Sequence, residues 1–235
     1  MRIYLIHGFL ENSTMWDFTE TLPLEFIRLT LPGHGADTPN IAPNNMEEVG
    51  QFVLQQIDVT QPYAIIGHSM GGYLIGTLLH LGARPNKIGL FHSKLGADND
   101  TKKHQRQRAI EMVGENKNLY IRTMISNLFP EPFKVKKYHV IDALVKDAFN
   151  IRVETIQHCQ QAMMTRKSFI EGIDPLNIPI HFFAGAEDLS VPLSDIQEEH
   201  ATIKNSTLTI EDGVGHMGQW ECPEKAAQWI TREFY

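Results

Sequence analysis

A serine lies between two glycines where an apolar run ends, in the segment Tyr63-Ala-Ile-Ile-Gly67-His-Ser69-Met-Gly71. The pattern Gly-x-Ser-x-Gly, between a β-type run and a helical stretch, is typical of a sharp strand-to-helix turn with a nucleophilic serine at its apex. Side chains two residues before and two after the serine would collide, which accounts for Gly67 and Gly71. The following helix would direct its free amides and its dipole toward developing negative charge. We therefore predict that Ser69 is a covalent nucleophile.

A serine hydroxyl needs a base to remove its proton, and histidine titrates in the suitable range. The chain has 11 histidines, so composition alone selects none of them. His216 is favoured because it ends the segment Gly213-Val-Gly-His216, a flexible loop between the last β-type run and the last helical stretch. His68 is interpreted as structural, since its side chain should point away from the apex that its neighbour Ser69 occupies.

A third group must orient the base. Asp188 comes shortly after the β-type run 180–184. A buried carboxylate that accepts a hydrogen bond from histidine Nδ1 selects the tautomer and stabilises the imidazolium, and Asp188 is expected to do this for His216. Glu187 and Asp212 remain competing candidates, because both also stand on loops before His216.

The tetrahedral intermediate of acyl transfer needs two hydrogen-bond donors at its oxyanion. The backbone amide of Met70, directly after the serine, is the first candidate. The amide of Phe9, in the loop after the first β-type run, is the second, and Leu10 is an alternative to it. Phe9 is equally compatible with a place in the pocket wall.

Short β-type runs alternate with helical stretches, which predicts a mostly parallel sheet with crossover helices. The predicted strands are 3–6, 26–29, 63–66, 87–91, 180–184 and 207–210. The predicted helices of this α/β core are 46–57, 70–81 and 223–234. Residues 1–93 and 169–235 should therefore form the core.

The alternation stops between residues 94 and 168, where the sequence predicts an inserted helical cap with helices at 101–113, 118–128, 135–149 and 151–164. Ligands bind at the carboxyl edge of open α/β sheets, so an insertion at that edge would cover the site. Five apolar residues of this segment are candidates for an acyl pocket, and packing within the cap explains each equally well. They are Met124, Leu128, Phe129, Met163 and Met164.

Composition narrows the class of protein. The chain of 235 residues is 42% hydrophobic and 21% charged, which is ordinary for a globular domain with a core. A net charge of −7 gives no basic field for nucleic acid or anionic lipid, and no apolar run approaches the roughly 20 residues of a membrane helix. We expect a soluble cytoplasmic protein with no nucleic-acid or membrane partner. The oligomeric state does not follow from the sequence.

The cysteine count and the absence of metal-binding and nucleotide-binding motifs argue against a disulfide-stabilised protein and against a metal- or cofactor-dependent one. The two cysteines, Cys159 and Cys222, are too few for a disulfide framework and are expected to be free thiols. There is no His-Glu-x-x-His motif, no paired cysteine and histidine cluster and no Walker loop. We therefore expect no metal and no cofactor.

These motifs together resemble the α/β-hydrolase superfamily over nearly the whole chain, and the capped carboxylesterase-type members most of all. The resemblance rests on His7-Gly8-Phe9, Leu31-Pro32-Gly33-His34-Gly35, Gly67-His68-Ser69-Met70-Gly71-Gly72, Gly185-Ala186-Glu187-Asp188 with Pro192, and Gly215-His216. It implies an α/β-hydrolase fold and the chain order serine, aspartate, histidine. Family members usually carry two strands before His-Gly that are absent here, so about six strands are expected.

The resemblance implies a serine hydrolase that cleaves a carboxylic ester of a small or medium-sized substrate through an acyl-enzyme on Ser69. The alternative is a lyase of the menaquinone-pathway type (succinyl-cyclohexadiene-carboxylate synthase-like), which uses the same three residues. That chemistry needs arginines for several carboxylates, and Tyr73 stands where those lyases have one. The substitutes would come from the insertion: Arg106, Arg108, Arg122 and Arg152. A ligand receptor that retains the three residues is a third class.

Overall fold

The computed structural model describes residues 1–235, which form one six-stranded sheet. The strands are β1 (Arg2–Ile6), β2 (Glu25–Leu29), β3 (Tyr63–His68), β4 (Lys87–Phe91), β5 (Ile180–Gly185) and β6 (Ser206–Glu211). Their order is β2-β1-β3-β4-β5-β6, and every neighbouring pair is parallel. The predicted fold class and the number of strands are confirmed.

The burial of each strand follows from its place in the sheet. All residues of β3 and β5 are buried, as expected for parallel strands that are covered by helices on both faces. The edge strands β2 and β6 have mostly half-buried or exposed residues. The sheet therefore places β3, and the serine that follows it, in the interior of the molecule.

The ten helices flank or cover this sheet, and none combines the length and apolarity needed to cross a membrane. They are α1 (Met46–Leu54), α2 (Met70–His80), α3 (Asp100–Ser126), α4 (Glu131–Lys136), α5 (Tyr138–Ala148), α6 (Val153–Thr165), α7 (Ile170–Ile173), α8 (Leu193–Thr202), α9 (Gly218–Glu221) and α10 (Pro223–Phe234). Two short 3-10 turns complete the chain, Ser13–Thr19 and Asp174–Leu176.

The helices of the insertion differ from the predicted ones at two points. Helix α3 is continuous across the predicted pair 101–113 and 118–128, but its backbone leaves helical geometry at Asn116. The Asn116 side chain accepts a hydrogen bond from the Leu119 N–H (3.1 Å), as a helix N-cap does, so the two predicted helices are arms of one kinked element. The predicted helix 135–149 is instead divided into α4 and α5 at Lys137, where the backbone is not helical.

Two apolar layers hold the sheet. A cluster of 45 buried residues contains parts of α1 and α2 on one face and continues into the helices α3, α5 and α6. A cluster of 12 buried residues lies on the other face and includes Trp16, Trp229 and Phe234. Helices α3 to α6 lie in the segment between β4 and β5, and α3 packs against α5 and α6. Because both clusters reach the central strands, the loops at their carboxyl ends have a rigid base.

The close approach of β3 to α2 yields a stability prediction. A Cβ atom on Gly67 would lie 2.5 Å from backbone atoms of Gly71 and Gly72, which cannot move without breaking the turn. We expect Gly67→Ala to lower the free energy of unfolding by about 1–3 kcal/mol or more, measured by urea denaturation. Gly114→Ala is the control: this exposed helical glycine would meet only the flexible Gln157 side chain at 3.3 Å, and alanine there should be neutral or stabilising. Equal effects of the two changes would contradict the steric explanation.

Candidate active site

Ser69 lies at the apex of the turn between β3 and α2 with φ 48° and ψ −114°, a conformation that is rare outside glycine. The neighbouring strand holds this conformation. The Ser69 N–H donates to the carbonyl of Phe91 (3.1 Å), and the Ser93 hydroxyl donates to the carbonyl of Ser69 (2.7 Å). Helix α2 begins at the next residue, Met70, so the serine side chain projects from the end of the strand beside the helix N-terminus.

The three predicted reactive residues meet in one hydrogen-bonded chain. The His216 Nε2 lies 2.8 Å from the Ser69 Oγ, and the His216 Nδ1 lies 2.7 Å from the Asp188 Oδ2. The other carboxylate oxygen of Asp188 accepts from the N–H groups of Ser190 (2.8 Å) and Val191 (2.9 Å). This arrangement assigns the proton of the neutral imidazole to Nδ1 and leaves Nε2 to accept from the serine hydroxyl.

The environment of Asp188 favours its charged form. Burial by itself would raise the pKa of this carboxyl, but the charge and hydrogen bond of His216 hold its pKa well below the usual range. Glu187 and Asp212 are both exposed and form no hydrogen bond or ion pair with His216. Of the three carboxylates considered from the sequence, only Asp188 is placed to orient the imidazole.

His92 is a neighbour of this chain that the sequence interpretation missed. It follows β4 with φ 48°, is fully buried, and its Nδ1 lies 3.4 Å from the Asp188 Oδ2. Its Nε2 accepts from the Gly218 N–H (3.2 Å), so the ring proton is on Nδ1 and faces the carboxylate. Burial lowers the pKa of His92 to about 4, so the ring is neutral at neutral pH. Its place at the carboxyl end of β4 was the only signal in the sequence.

Ligand atoms of His92, Asp188 and His216 lie within 4.8 Å of one another, which is the spacing of a possible metal site. Both Asp188 oxygens and the His216 Nδ1 already take part in the hydrogen bonds described above. A metal there would have to replace the bond between His216 and Asp188. The geometry is therefore that of a hydrogen-bond network around the imidazole.

A buried ion pair lies below His216. The His68 Nδ1 is 2.7 Å from the Glu11 Oε2, and the His68 Nε2 is 3.0 Å from the carbonyl of His216. Glu11 also accepts from the Gly8 N–H (2.8 Å) and from the side chain of Gln219 (2.8 Å). Burial opposes charge on His68, yet the Glu11 carboxylate raises its pKa above the ordinary value. The histidine next to the serine thus contacts the backbone of the loop that carries His216.

The candidate oxyanion donors differ in their surroundings. Phe9 lines the cavity at Ser69, and its N–H donates to no other group of the chain. Leu10, the alternative, has φ 62° and does not line that cavity. Met70 is the first residue of α2, where an N–H has no partner within the helix. The amides of Phe9 and Met70 thus have no hydrogen-bond partner within the chain and remain the candidate oxyanion donors.

The cavity above Ser69 has a volume of only about 40 Å³. Its walls combine core residues with side chains of the insertion, among them Lys102 and Arg106. Three of the five apolar candidates line it: Met124, Leu128 and Met163. Phe129 instead stacks on Phe133 with ring centroids 4.8 Å apart. The insertion therefore covers the serine directly.

Of the four arginines considered for binding substrate carboxylates in a lyase, only one lines the cavity at Ser69. Arg106 lines the cavity, but it is bound to the carboxylate of Asp98 and to the Gln160 side chain (3.1 Å). The other three lie outside the cavity, and all three are exposed: Arg108, Arg122 and Arg152. The cluster of free arginines that the lyase chemistry requires is not present at Ser69.

Comparison with known proteins agrees with this geometry. The model of the alpha/beta hydrolase family matches residues 3–229. Among curated proteins, the monoacylglycerol lipase ABHD6 of Mus musculus is 21% identical over 250 residues, a match that covers 97% of this chain and 74% of the lipase. The same lipase of Bos taurus is 20% identical over 248 residues, with the same coverage.

Solved structures share the fold. A thermophilic esterase from Thermogutta terrifontis, determined with malate bound, superposes with a TM-score of 0.86 at 22% identity and covers 99% of this chain and 88% of its own. A hydrolase from Pseudomonas aeruginosa has a TM-score of 0.86 at 20% identity, over 98% of this chain and 88% of its own.

The loop that carries His216 is held by Glu221, another residue without a sequence signal. The Glu221 carboxylate accepts from the N–H groups of Gly215 (2.7 Å) and Met217 (2.8 Å), on either side of the histidine. Burial raises the pKa of Glu221 to about 7, although the two amides favour its charged form. This carboxyl therefore titrates near neutrality, directly beside His216.

Glu221 should make stability depend on pH. In the folded chain its carboxyl keeps a proton up to about pH 7, whereas in the unfolded chain it releases the proton near its ordinary value of 4.5. Between these values the folded state binds more protons, so the free energy of unfolding should fall as pH rises. We expect Glu221→Gln to remove this part of the decline, measured by urea denaturation at several pH values between 4.5 and 7.5. Glu224→Gln, which changes an exposed residue of α10, should keep the wild-type slope, and identical slopes for all three proteins would contradict the role of Glu221.

Proposed function

Because this chain belongs to the alpha/beta hydrolase family, we propose that it is a serine hydrolase that cleaves a carboxylic ester of a small or medium-sized substrate through an acyl-enzyme on Ser69. The observation that carries the proposal is the hydrogen-bonded chain from the Ser69 Oγ through His216 to Asp188, with distances of 2.8 and 2.7 Å. The esterase and lipase names among its relatives agree with ester chemistry. The finer assignment to a carboxylesterase rests on the geometry of this site.

The geometry supports a two-stage reaction. The Ser69 Oγ attacks the ester carbonyl while its proton passes to the His216 Nε2, and the carbonyl oxygen becomes an oxyanion between the amides of Phe9 and Met70. The intermediate collapses as the C–O bond to the leaving group breaks, and the imidazolium gives its proton to that oxygen. Water then repeats the sequence on the acyl-enzyme, with His216 as base, and releases the acid. Asp188 keeps the imidazole oriented and stabilises its charged form in both stages.

We propose that residues 94–168 act as a helical cap that selects substrates, on a core of residues 1–93 and 169–235. The cavity of about 40 Å³ at Ser69 is far below the 300–1,000 Å³ typical of ligand pockets. Met124, Leu128 and Met163 of the insertion close it, so a substrate larger than a few atoms must displace them. Methionine side chains repack easily, which suits them for that position.

The proposed partner is a small-molecule ester, and the proposed location is the cytoplasm. Cys159 and Cys222 are both free, as reducing conditions would keep them. The net charge of −7 disfavours a nucleic-acid partner.

The nucleophile is tested by a fluorophosphonate probe and by ester hydrolysis. The probe should label the wild-type protein on Ser69 and should not label Ser69→Ala, which lacks the attacking oxygen. Hydrolysis of p-nitrophenyl esters should fall by several orders of magnitude in this variant, since loss of a nucleophilic serine costs up to about 10⁶-fold. Ser194→Ala, which removes an exposed hydroxyl on α8, should remain labelled. Labelling that survives in Ser69→Ala would disprove the assignment.

The acid is tested by three amide substitutions. Asp188→Asn should lower kcat by about 10⁴-fold, because the histidine would then be held in the wrong tautomer. Glu187→Gln and Asp212→Asn change exposed carboxylates on nearby loops, and each should alter kcat by less than about tenfold, as measured with p-nitrophenyl esters. A severe loss in Glu187→Gln together with a mild loss in Asp188→Asn would mean that the acid is assigned wrongly, whatever the roles of Ser69 and His216.

The lyase alternative is tested in the same assays. The menaquinone precursor is offered to the wild-type protein beside the p-nitrophenyl esters, and no elimination should be observed, because no free arginine cluster faces Ser69. Conversion of that precursor at a rate above ester hydrolysis would replace the hydrolase proposal by the lyase one.

A further inference from the structure

Lys102 is a cation without a carboxylate partner beside the candidate active site. It lies in the first turn of α3, and no carboxylate oxygen is within 4.0 Å of its ammonium group. The only hydrogen bond of its Nζ goes to the carbonyl of Ser190 (3.1 Å). An ammonium has three donors, so two remain available to a ligand.

The charges around Lys102 do not neutralise it. Arg106 and Arg166 are both buried, and they share the single carboxylate of Asp98. Lys94 is already paired with Asp195 at 2.7 Å. Burial and the neighbouring Arg106 lower the pKa of Lys102, so its charge is unfavourable where it stands. A bound anion would relieve this cost, because it would supply the missing opposite charge.

Lys102 also lies between two cavities. One is the cavity of about 40 Å³ that contains Ser69 and His216. The other, of about 200 Å³, is lined by residues of the α3 N-terminal region and of the loop after Asp188. Three residues belong to both linings, and they are Tyr73, Lys102 and Ser190. A molecule that extends from Ser69 into the larger cavity must therefore pass the ammonium group.

We propose that Lys102 binds a carboxylate group of the substrate, so that the natural substrate is an anionic ester whose charged end lies at the boundary of these two cavities. A single ammonium with two free donors matches a singly charged carboxylate. Arg106 and Arg166 are held by Asp98 and add positive potential without contacting the ligand. The inference rests on the proposed function, since it names the substrate class of the same site. The carboxylate belongs either to the acyl part or to the leaving group.

The test compares charged and neutral esters that are otherwise matched. For the acyl part, p-nitrophenyl half-esters of straight-chain dicarboxylic acids, from glutarate to suberate, are compared with p-nitrophenyl alkanoates of the same length. For the leaving group, 4-carboxyphenyl butyrate is compared with 4-methylphenyl butyrate. In one of these two arms the wild-type protein should have the higher kcat/KM for the charged ester, and the preferred arm identifies which part of the substrate carries the carboxylate.

Substitutions at position 102 should remove this preference. Lys102→Met keeps most of the side-chain length and removes the charge, so the ratio of charged to neutral kcat/KM should fall roughly tenfold or more. Lys102→Gln is a second neutral variant in case the first fails to fold, and Lys102→Arg should retain most of the preference. The control is Lys103→Met, which removes the same charge from an exposed side chain that lines neither cavity, and it should keep the wild-type ratio.

Two results would overturn the inference: a wild-type protein that prefers the neutral ester in both arms, or a preference that is unchanged in both neutral variants. A failure of the proposed function looks different, because then no ester of either kind is hydrolysed in a Ser69-dependent way. In that case calorimetric titration with adipate still decides the role of Lys102. Binding that is lost in Lys102→Met but kept in Lys103→Met supports the anion site, and binding that is absent or equal in all variants overturns it.

Discussion

The backbone of Ser69, held at a φ of 48°, is the constraint from which the arrangement of the site follows. Such a conformation costs a residue other than glycine about 1–3 kcal/mol and persists only where the surroundings enforce it. Here the sheet enforces it. Phe91 at the end of β4 accepts a hydrogen bond from the Ser69 N–H, and Ser93 just after β4 donates one to the Ser69 carbonyl. Gly67 has no side chain, which allows the backbone of α2 to approach β3. Since β4 and β3 are central strands, the apex of the turn is as rigid as the core. The loops after β5 and β6 then place Asp188 and His216 at fixed distances from it.

The backbone around His216 is likewise held by several hydrogen bonds, which come from parts of the chain that are remote from each other. The His216 N–H donates to the carbonyl of Leu128 in the insertion (2.9 Å), and its own carbonyl is 3.0 Å from the His68 Nε2. Glu221 accepts from the amides on both sides of it. The contact with Leu128 joins the insertion to the loop that carries His216, so a movement of the insertion would also act on His216.

Electrostatics divide the site into two regions. Below the imidazole, each buried carboxylate is hydrogen-bonded to a histidine, Glu11 to His68 and Asp188 to His216. Above Ser69, on the side of the insertion, positive charge exceeds negative charge, and Lys102 has no carboxylate of its own. Hydrogen-bonded carboxylates hold the imidazole in one orientation, whereas a cation without a carboxylate partner in a cavity is available to a ligand. The same site thus combines a closed hydrogen-bond network on one side of Ser69 with an unpaired cation on the other.

The sequence by itself determined the fold class, the six strands to within about two residues at each end, and the identity of the three residues that meet at the site. These were accessible because apolar runs, glycine spacing and a serine at a strand-to-helix turn are local patterns. Spacing in the sequence favoured Asp188 and left the adjacent Glu187 as a competitor, and the structure separates the two because Asp188 is buried and hydrogen-bonded to His216 whereas Glu187 is exposed. The tertiary structure alone decided the remaining partners, because they lie in no motif and all but Glu221 contact residues far away in the chain. They are Glu11 and His92 beside the histidine network, Glu221 under the loop of the base, and Lys102 between the two cavities.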